Sequence, residues 1–132
     1  MYLVLALLLV GIGQISALTE EMEKFSAMLH SQCTKETGVS DDLITNANMG
    51  IFAEDPALKC YMKCVMMTAT LMDDDGRFNI EAIIDLVPEP FRNLIKPIVE
   101  KCSSVSGVDL CDLAFQANKC FQNNGPAYYY LA

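Results

Sequence analysis

The sequence predicts an all-α domain of about six short helices, and three observations carry that prediction. Apolar residues recur at three- and four-residue spacing in successive segments between residues 19 and 124. Capping residues, glycines and prolines bound those segments. Six cysteines, an even number, are spread over them behind an apolar leader, which implies three disulfides in a secreted chain.

The leader comes first. Residues 3–10 are an unbroken apolar run, followed by Gly11, Gly13 and Gln14 and then the small Ala17. Residues 1–17 therefore read as a secretory signal peptide cut after Ala17. A bilayer span needs roughly 20 apolar residues, more than this run supplies. Residues 18–132 remain, enough for one domain with one core. The formal net charge of −8 falls wholly within them. Phosphate binding needs a basic surface, so nucleic acid and an anionic membrane are excluded as partners. An acidic shell suits a protein that stays soluble, as a monomer or weak homodimer.

Thr19 caps the first helix, with Glu20 and Glu21 against its N-terminal dipole. Met22, Phe25, Leu29 and Cys33 share its inner stripe, and Gly38 stops it. His30, the only histidine, lies on the flank and is expected to face solvent. Ser40, Asp41 and Asp42 open a second helix that runs to Asn48, and Gly50 breaks it. Ile51 and Phe52 should tuck inward from the loop that follows. Asp55 before Pro56 is a cap with proline at the first helical position.

The third helix runs through CYMKCVMMTATLM, residues 60–72, and organises the rest. Cys60, Cys64, Met67 and Leu71 share one stripe, while Met62, Met66, Ala69 and Thr70 occupy the other side. The first stripe suits attachment to neighbouring helices. The second faces either an interior space or ordinary core, and this stretch alone leaves both open. Asp73, Asp74, Asp75 and Gly76 end the helix. A calcium loop in this register would start at Leu71, which has no side-chain oxygen, so a solvated turn is expected.

Asn79 caps a fourth helix with Ile80, Ile83, Ile84 and Val87 inward, and Pro88 and Pro90 end it. In the fifth helix Phe91, Leu94, Ile95, Ile98 and Cys102 form the stripe, and Pro97 inside it should kink it or mark its true start. Asp109 opens the sixth. Its narrow stripe of Leu110, Ala114, Ala117 and Phe121 is flanked by Cys111 and Cys120. Asn124, Gly125 and Pro126 stop it, and the tail AYYYLA is too apolar to stay exposed and should fold back.

The cysteines allow fifteen pairings. Those joining Cys60 to Cys64 are disfavoured, because side chains one helical turn apart are nearly parallel. No CxxC pair and no histidine beside a cysteine pair points to zinc. One histidine and fully paired cysteines build no Ser/His/Asp or Cys/His centre, so no enzyme, cofactor or metal site is expected.

The framework C-x26-C-x3-C-x37-C-x8-C-x8-C, with the leader and six helices, resembles the six-cysteine insect odorant-binding proteins across residues 18–132. Its specific parts are the x3 and final x8 spacings, KC at 63–64, GRFN at 76–79 and KCF at 119–121. The resemblance implies a compact bundle around an internal apolar cavity, stapled by three interlocked disulfides: Cys33 with Cys64, Cys60 with Cys111, and Cys102 with Cys120. It implies pocket positions at Leu29, Phe52, Met66, Ala69, Leu71, Phe78, Ala114 and Phe121, joined by the inward Ile84 and by the tail. Several family members hold polar ligands with hydroxyls near Met66 and Leu71. Their replacement here leaves Thr70, Tyr128 and Tyr130 as polar contacts and puts small alcohols in doubt.

The function so implied is a secreted carrier of a small hydrophobic ligand, an odorant, pheromone or similar semiochemical, delivered through aqueous fluid to a membrane odorant receptor. Methionines and alanines make a pliable lining that favours apolar ligands of varied shape. A non-olfactory carrier of a gland or body fluid, or a secreted interaction protein without a cavity, are the alternatives.

Overall fold

Six α-helices and one 3-10 turn make up the computed structural model, which describes residues 2–132, with side chains from Glu20 onward. Helix α1 (Tyr2–Thr37) contains the helix expected from Thr19 and begins earlier. The signal peptide, its cleavage after Ala17 and the Thr19 side chain lie outside the residues whose side chains are described. Gly38, at φ 69°, ends α1 in the left-handed conformation glycine adopts without strain. Among the described residues no helix is long and apolar enough to cross a membrane.

Helix α2 (Asp41–Asn48) follows and buries Ile44 and Ala47. Helix α3 (Pro56–Thr68) starts where Asp55 accepts a hydrogen bond from the Leu58 amide at 2.9 Å. It is the buried centre: Leu58, Tyr61 and Met62 are fully enclosed. Helix α4 (Ile80–Asp85) is capped by Asn79, which accepts from the Ala82 amide at 3.1 Å. A 3-10 turn (Glu89–Phe91) leads into α5 (Arg92–Cys102), with Pro97 inside it. Asp109 accepts from the Asp112 amide at 2.8 Å and starts α6 (Leu110–Asn124).

Helix α6 packs along α3, α1 crosses α3, and α5 joins α4 to α6. Ala114, Phe115 and Ala117 on α6 are fully buried, the two alanines letting the helices approach closely. Phe115 meets Phe52 edge-on at 5.8 Å between ring centroids, which fixes the loop after α2 against the core.

The disulfides follow the pairing the resemblance implies. Cys33–Cys64 ties α1 to α3, Cys60–Cys111 ties α3 to α6, and Cys102–Cys120 ties α5 to α6. They close separations of 31, 51 and 18 residues, and each contributes about 3 to 4 kcal/mol in the chain-entropy model.

Several expectations about packing need correction: of the loop pair only Phe52 tucks inward, Ile51 being 58% exposed, and Leu94 of the α5 stripe is 62% exposed. The inner stripe of α1 is only half buried: Leu29 and Cys33 are in the core, but Met22 is 60% exposed and Phe25 44%. Helix α3 is 13 residues long and covers only the last turns of α1. His30 is half-buried, because α2 and the tail fold over its flank of α1.

Candidate functional site

The apolar sides of four helices meet at a cavity of ≈ 140 Å³. Val65 and Met66 of α3 and Leu71 of the turn after it form one wall. Ile83, Leu86 and Val87 contribute from α4 and its C-terminal end, and Ile95, Ile98 and Val99 from α5. Asn118 and Phe121 of α6 face them, and the tail borders the open side with Gly125 and residues 128–131. The volume is close to the about 150 Å³ of an apolar cavity that stays dry and admits benzene.

A helix end shapes the α3 wall. The Leu71 amide donates to Met66 O at 2.8 Å and the Thr70 amide to Met67 O at 3.1 Å. That is the paired bonding of a Schellman turn, which brings the residue beyond the helix back against its last turn. Leu71 is thus returned beside Met66. The turn needs a left-handed residue, and Thr70 occupies it at φ 59°, where a β-branched side chain is rare.

The tail is pinned at three places. The Leu131 amide donates to Asn48 Oδ1 at 2.7 Å, and Asn48 Nδ2 donates back to Leu131 O at 2.9 Å. The Tyr61 hydroxyl donates to the Ala132 backbone oxygen. His30 Nδ1 stands 3.2 Å from that hydroxyl, and its Nε2 lies 2.9 Å from an Asp41 oxygen. Inside the cavity the Tyr129 hydroxyl donates to Asn118 Oδ1 at 3.0 Å, while Asn118 Nδ2 donates to Ala114 O at 2.7 Å. Burial pushes the hydroxyls of Tyr61 and Tyr129 above the ordinary tyrosine value, so both remain donors. Tyr128 leans on Phe91 at 5.7 Å, and with Leu86 and Tyr130 it forms an exposed rim.

A family model described as the PBP/GOBP family matches residues 15–124. The chain belongs to this family. General odorant-binding protein 69a of Drosophila melanogaster is 31% identical over 94 residues, 70% of this chain and 64% of that protein. General odorant-binding protein 19d of the same fly is 31% identical over 126 residues, 86% of this chain and 84% of its own length. Among solved structures, odorant-binding protein 4 of Chrysopa pallens superposes with a TM-score of 0.75 at 25% identity, covering 86% of this chain and 97% of its own. The medfly odorant-binding protein CcapOBP22/CcapOBP69a gives 0.68 at 29% identity, covering 77% and 89%. The PBP/GOBP family consists of carriers, not enzymes.

Of the positions suggested by resemblance to the odorant-binding proteins, Met66, Leu71, Phe121, Tyr128 and Tyr130 line the cavity. The others lie elsewhere. Leu29 is spent in the core where α1 crosses α3, and Phe52 is held against Phe115. Ala69 is the C-cap of α3, and Thr70 is exposed with its hydroxyl bonded to Ala69 O. Phe78 pairs with Met72 across an isolated antiparallel bridge that closes the turn at 73–77. Ile84 packs on the core while its neighbour Ile83 meets the cavity. Ala114 is sealed on α6, and Asn118, one turn further, reaches the space instead.

The cavity residues the sequence missed come mostly from α4 and α5. Ile83, Val87, Ile95 and Ile98 carried a signal as inward stripes, but nothing local assigned those stripes to a space. Val65, Leu86, Val99 and Gly125 carried none of their own, and Tyr129 and Leu131 were expected only as part of the tail. Asn118 carried a clear one, as a polar residue at i+4 from Ala114 and i−3 from Phe121 on an otherwise apolar face.

Two clusters with metal-ligand chemistry resolve otherwise. Glu36 lies 2.8 Å from Cys64 Sγ, but that sulfur is bonded to Cys33 and offers no thiolate. Asp73 accepts from the amides of Arg77 and Asp75 and from the Arg77 guanidinium. The Arg77 amide bond, the leading cause, holds its carboxyl below the usual range and commits it to the turn.

Proposed function

We propose that this chain is a secreted carrier that encloses one small hydrophobic molecule in the α3–α6 cavity, beneath its own tail, and moves it through aqueous fluid to a receptor. The single observation that carries the proposal is an apolar cavity of ≈ 140 Å³ walled by four helices and bordered by residues 128–131 of the tail. Transfer of an apolar molecule from water into such a space is favourable at about 25 cal/mol per Å² buried. The wall that must yield for entry is the tail, because it is held by a few hydrogen bonds rather than by a disulfide.

Membership of the PBP/GOBP family and relatives named as general odorant-binding proteins favour an odorant or similar semiochemical as cargo. Residues 1–17 act as the leader that directs export, the mature chain works as a monomer or weak homodimer, and an odorant receptor in the sensory membrane is the receiving partner. Titrating the mature chain with the neutral fluorophore N-phenyl-1-naphthylamine tests the carrier. Saturable emission with displacement by apolar volatiles is expected, and failure to take up the fluorophore removes the proposal. A chain ending at Pro126 should fold and release the fluorophore faster than the full chain.

A further inference from the structure

We propose that Asn118 is the polar anchor of the cavity, selecting neutral ligands that carry one hydrogen-bonding oxygen on a small apolar body, and that a ligand hydroxyl competes with that of Tyr129 in the tail for this anchor. The proposal rests on the carrier function above and names the ligand class.

Among the described residues, Asn118 is the single polar side chain that the helices contribute to the cavity, whose other helical wall residues are Val, Leu, Ile, Met and Phe. It is 6% exposed. A primary amide offers two N–H donors and one oxygen. One N–H is committed to Ala114 O at 2.7 Å, a bond inside α6 that also fixes which end of the amide is nitrogen. The same nitrogen lies 3.4 Å from Met66 Sδ, and a thioether sulfur is a weak acceptor. A buried amide hydrogen therefore faces a poor partner on the cavity wall. A carbonyl or hydroxyl oxygen entering beside Met66 supplies a better one, whereas a hydrocarbon of the same shape does not.

The amide oxygen is occupied differently. It accepts from the Tyr129 hydroxyl at 3.0 Å, and that hydroxyl belongs to the tail. A ligand hydroxyl can replace Tyr129 there, because it donates to Oδ1 while accepting from Nδ2. An alcohol thus loosens the tail at Tyr129 as it binds, while the Asn48–Leu131 bonds stay intact. An ionised acid finds no such welcome. No Lys, Arg or His lines the cavity among the described residues, so a carboxylate would be buried without a counter-charge. The doubt over small alcohols, raised by Met66 and Leu71, is thereby reversed: the polar contact comes from the facing helix.

The test is calorimetric titration with p-cresol and p-xylene, which share a ring and differ by hydroxyl for methyl, read as the ratio of their Kd values. In Asn118→Leu the ratio should move about tenfold against p-cresol, the worth of one hydrogen bond. In Tyr129→Phe, where Oδ1 is left free for the ligand, it should move the other way. An unchanged ratio in both variants, with both compounds binding the wild type, overturns the anchor and leaves the carrier standing. A wild type that binds neither compound overturns both. If Asn118→Leu does not fold, Tyr129→Phe decides alone, and an unchanged ratio there overturns the proposal.

Discussion

Asn48 grips Leu131 with both ends of its amide, accepting from the backbone N–H at 2.7 Å and donating to the carbonyl at 2.9 Å. The two residues are 83 positions apart in the chain. One side chain on α2 thus holds the tail in a strand-like pairing, although no strand lies beside it among the described residues.

Asn48→Ala removes both bonds and leaves the Leu131 backbone short of partners, at a cost of about 1 to 3 kcal/mol to the closed tail. Ligand release, followed by stopped-flow fluorescence, should quicken. Asn48→Asp keeps an acceptor for the Leu131 amide but loses the donor, so its release rate should fall between the two. Equal rates in all three proteins would show that the tail does not limit release.

Thr70→Gly should raise stability by about 1 kcal/mol, since the left-handed turn strains a β-branched residue and suits glycine. The threonine hydroxyl reaches only Ala69 O, so little is lost with it. Urea unfolding of the two proteins gives the difference. A lower midpoint for the glycine variant would count against strain at this position.

Ala114→Phe should destabilise rather than fill the cavity. The site is fully enclosed on α6, and the added ring has no space to enter, which costs about 1 to 3 kcal/mol or more. A depressed thermal midpoint is expected. A normal midpoint with lost ligand affinity would place Ala114 on the cavity wall after all.

Stability should decline in alkali. Burial holds the hydroxyls of Tyr61 and Tyr129 above the ordinary value, so the folded chain keeps protons that the unfolded chain has already released. The folded state binds more protons above about pH 10, so stability is fully present below that pH and falls as pH rises past it. Tyr129→Phe should shallow the decline of the unfolding midpoint. An ultraviolet titration in which all tyrosines ionise together near the ordinary value would contradict this.

Three helix starts were legible because capping is local, whereas α1 begins before Thr19 and Ser40 makes no capping bond from its side chain. Asp55, Asn79 and Asp109 each accept from the amide three residues on, as their residue types and neighbours implied. The disulfide pairing and the fold were both legible only through the resemblance that the cysteine spacing carries. The end of α3 was not legible: apolar periodicity continues to Met72, and the turn that stops the helix uses a threonine where glycine is the usual signal. Nor could the cavity be read from α3 and α6 alone. Whether an apolar residue touches core or space depends on what the opposite helix leaves unfilled. Ala114 and Asn118 share one face of α6, yet one is sealed and the other is not. The partners of His30 are 11, 31 and 102 positions away, beyond any local pattern.

Cys60 and Cys64 leave the same helix one turn apart and bond to different neighbours, Cys111 on α6 and Cys33 on α1. In an extended chain these two thiols are close rivals for the same partners. Only once α3 has coiled do they stand at fixed heights, each level with a different crossing helix. Correct oxidation is therefore an outcome of helix formation, and the Asp55 cap with Pro56 behind it serves the fidelity of disulfide exchange as much as the stability of the finished protein. Weakening that cap would show first as scrambled isomers during refolding, before any loss in the molecules that had closed correctly.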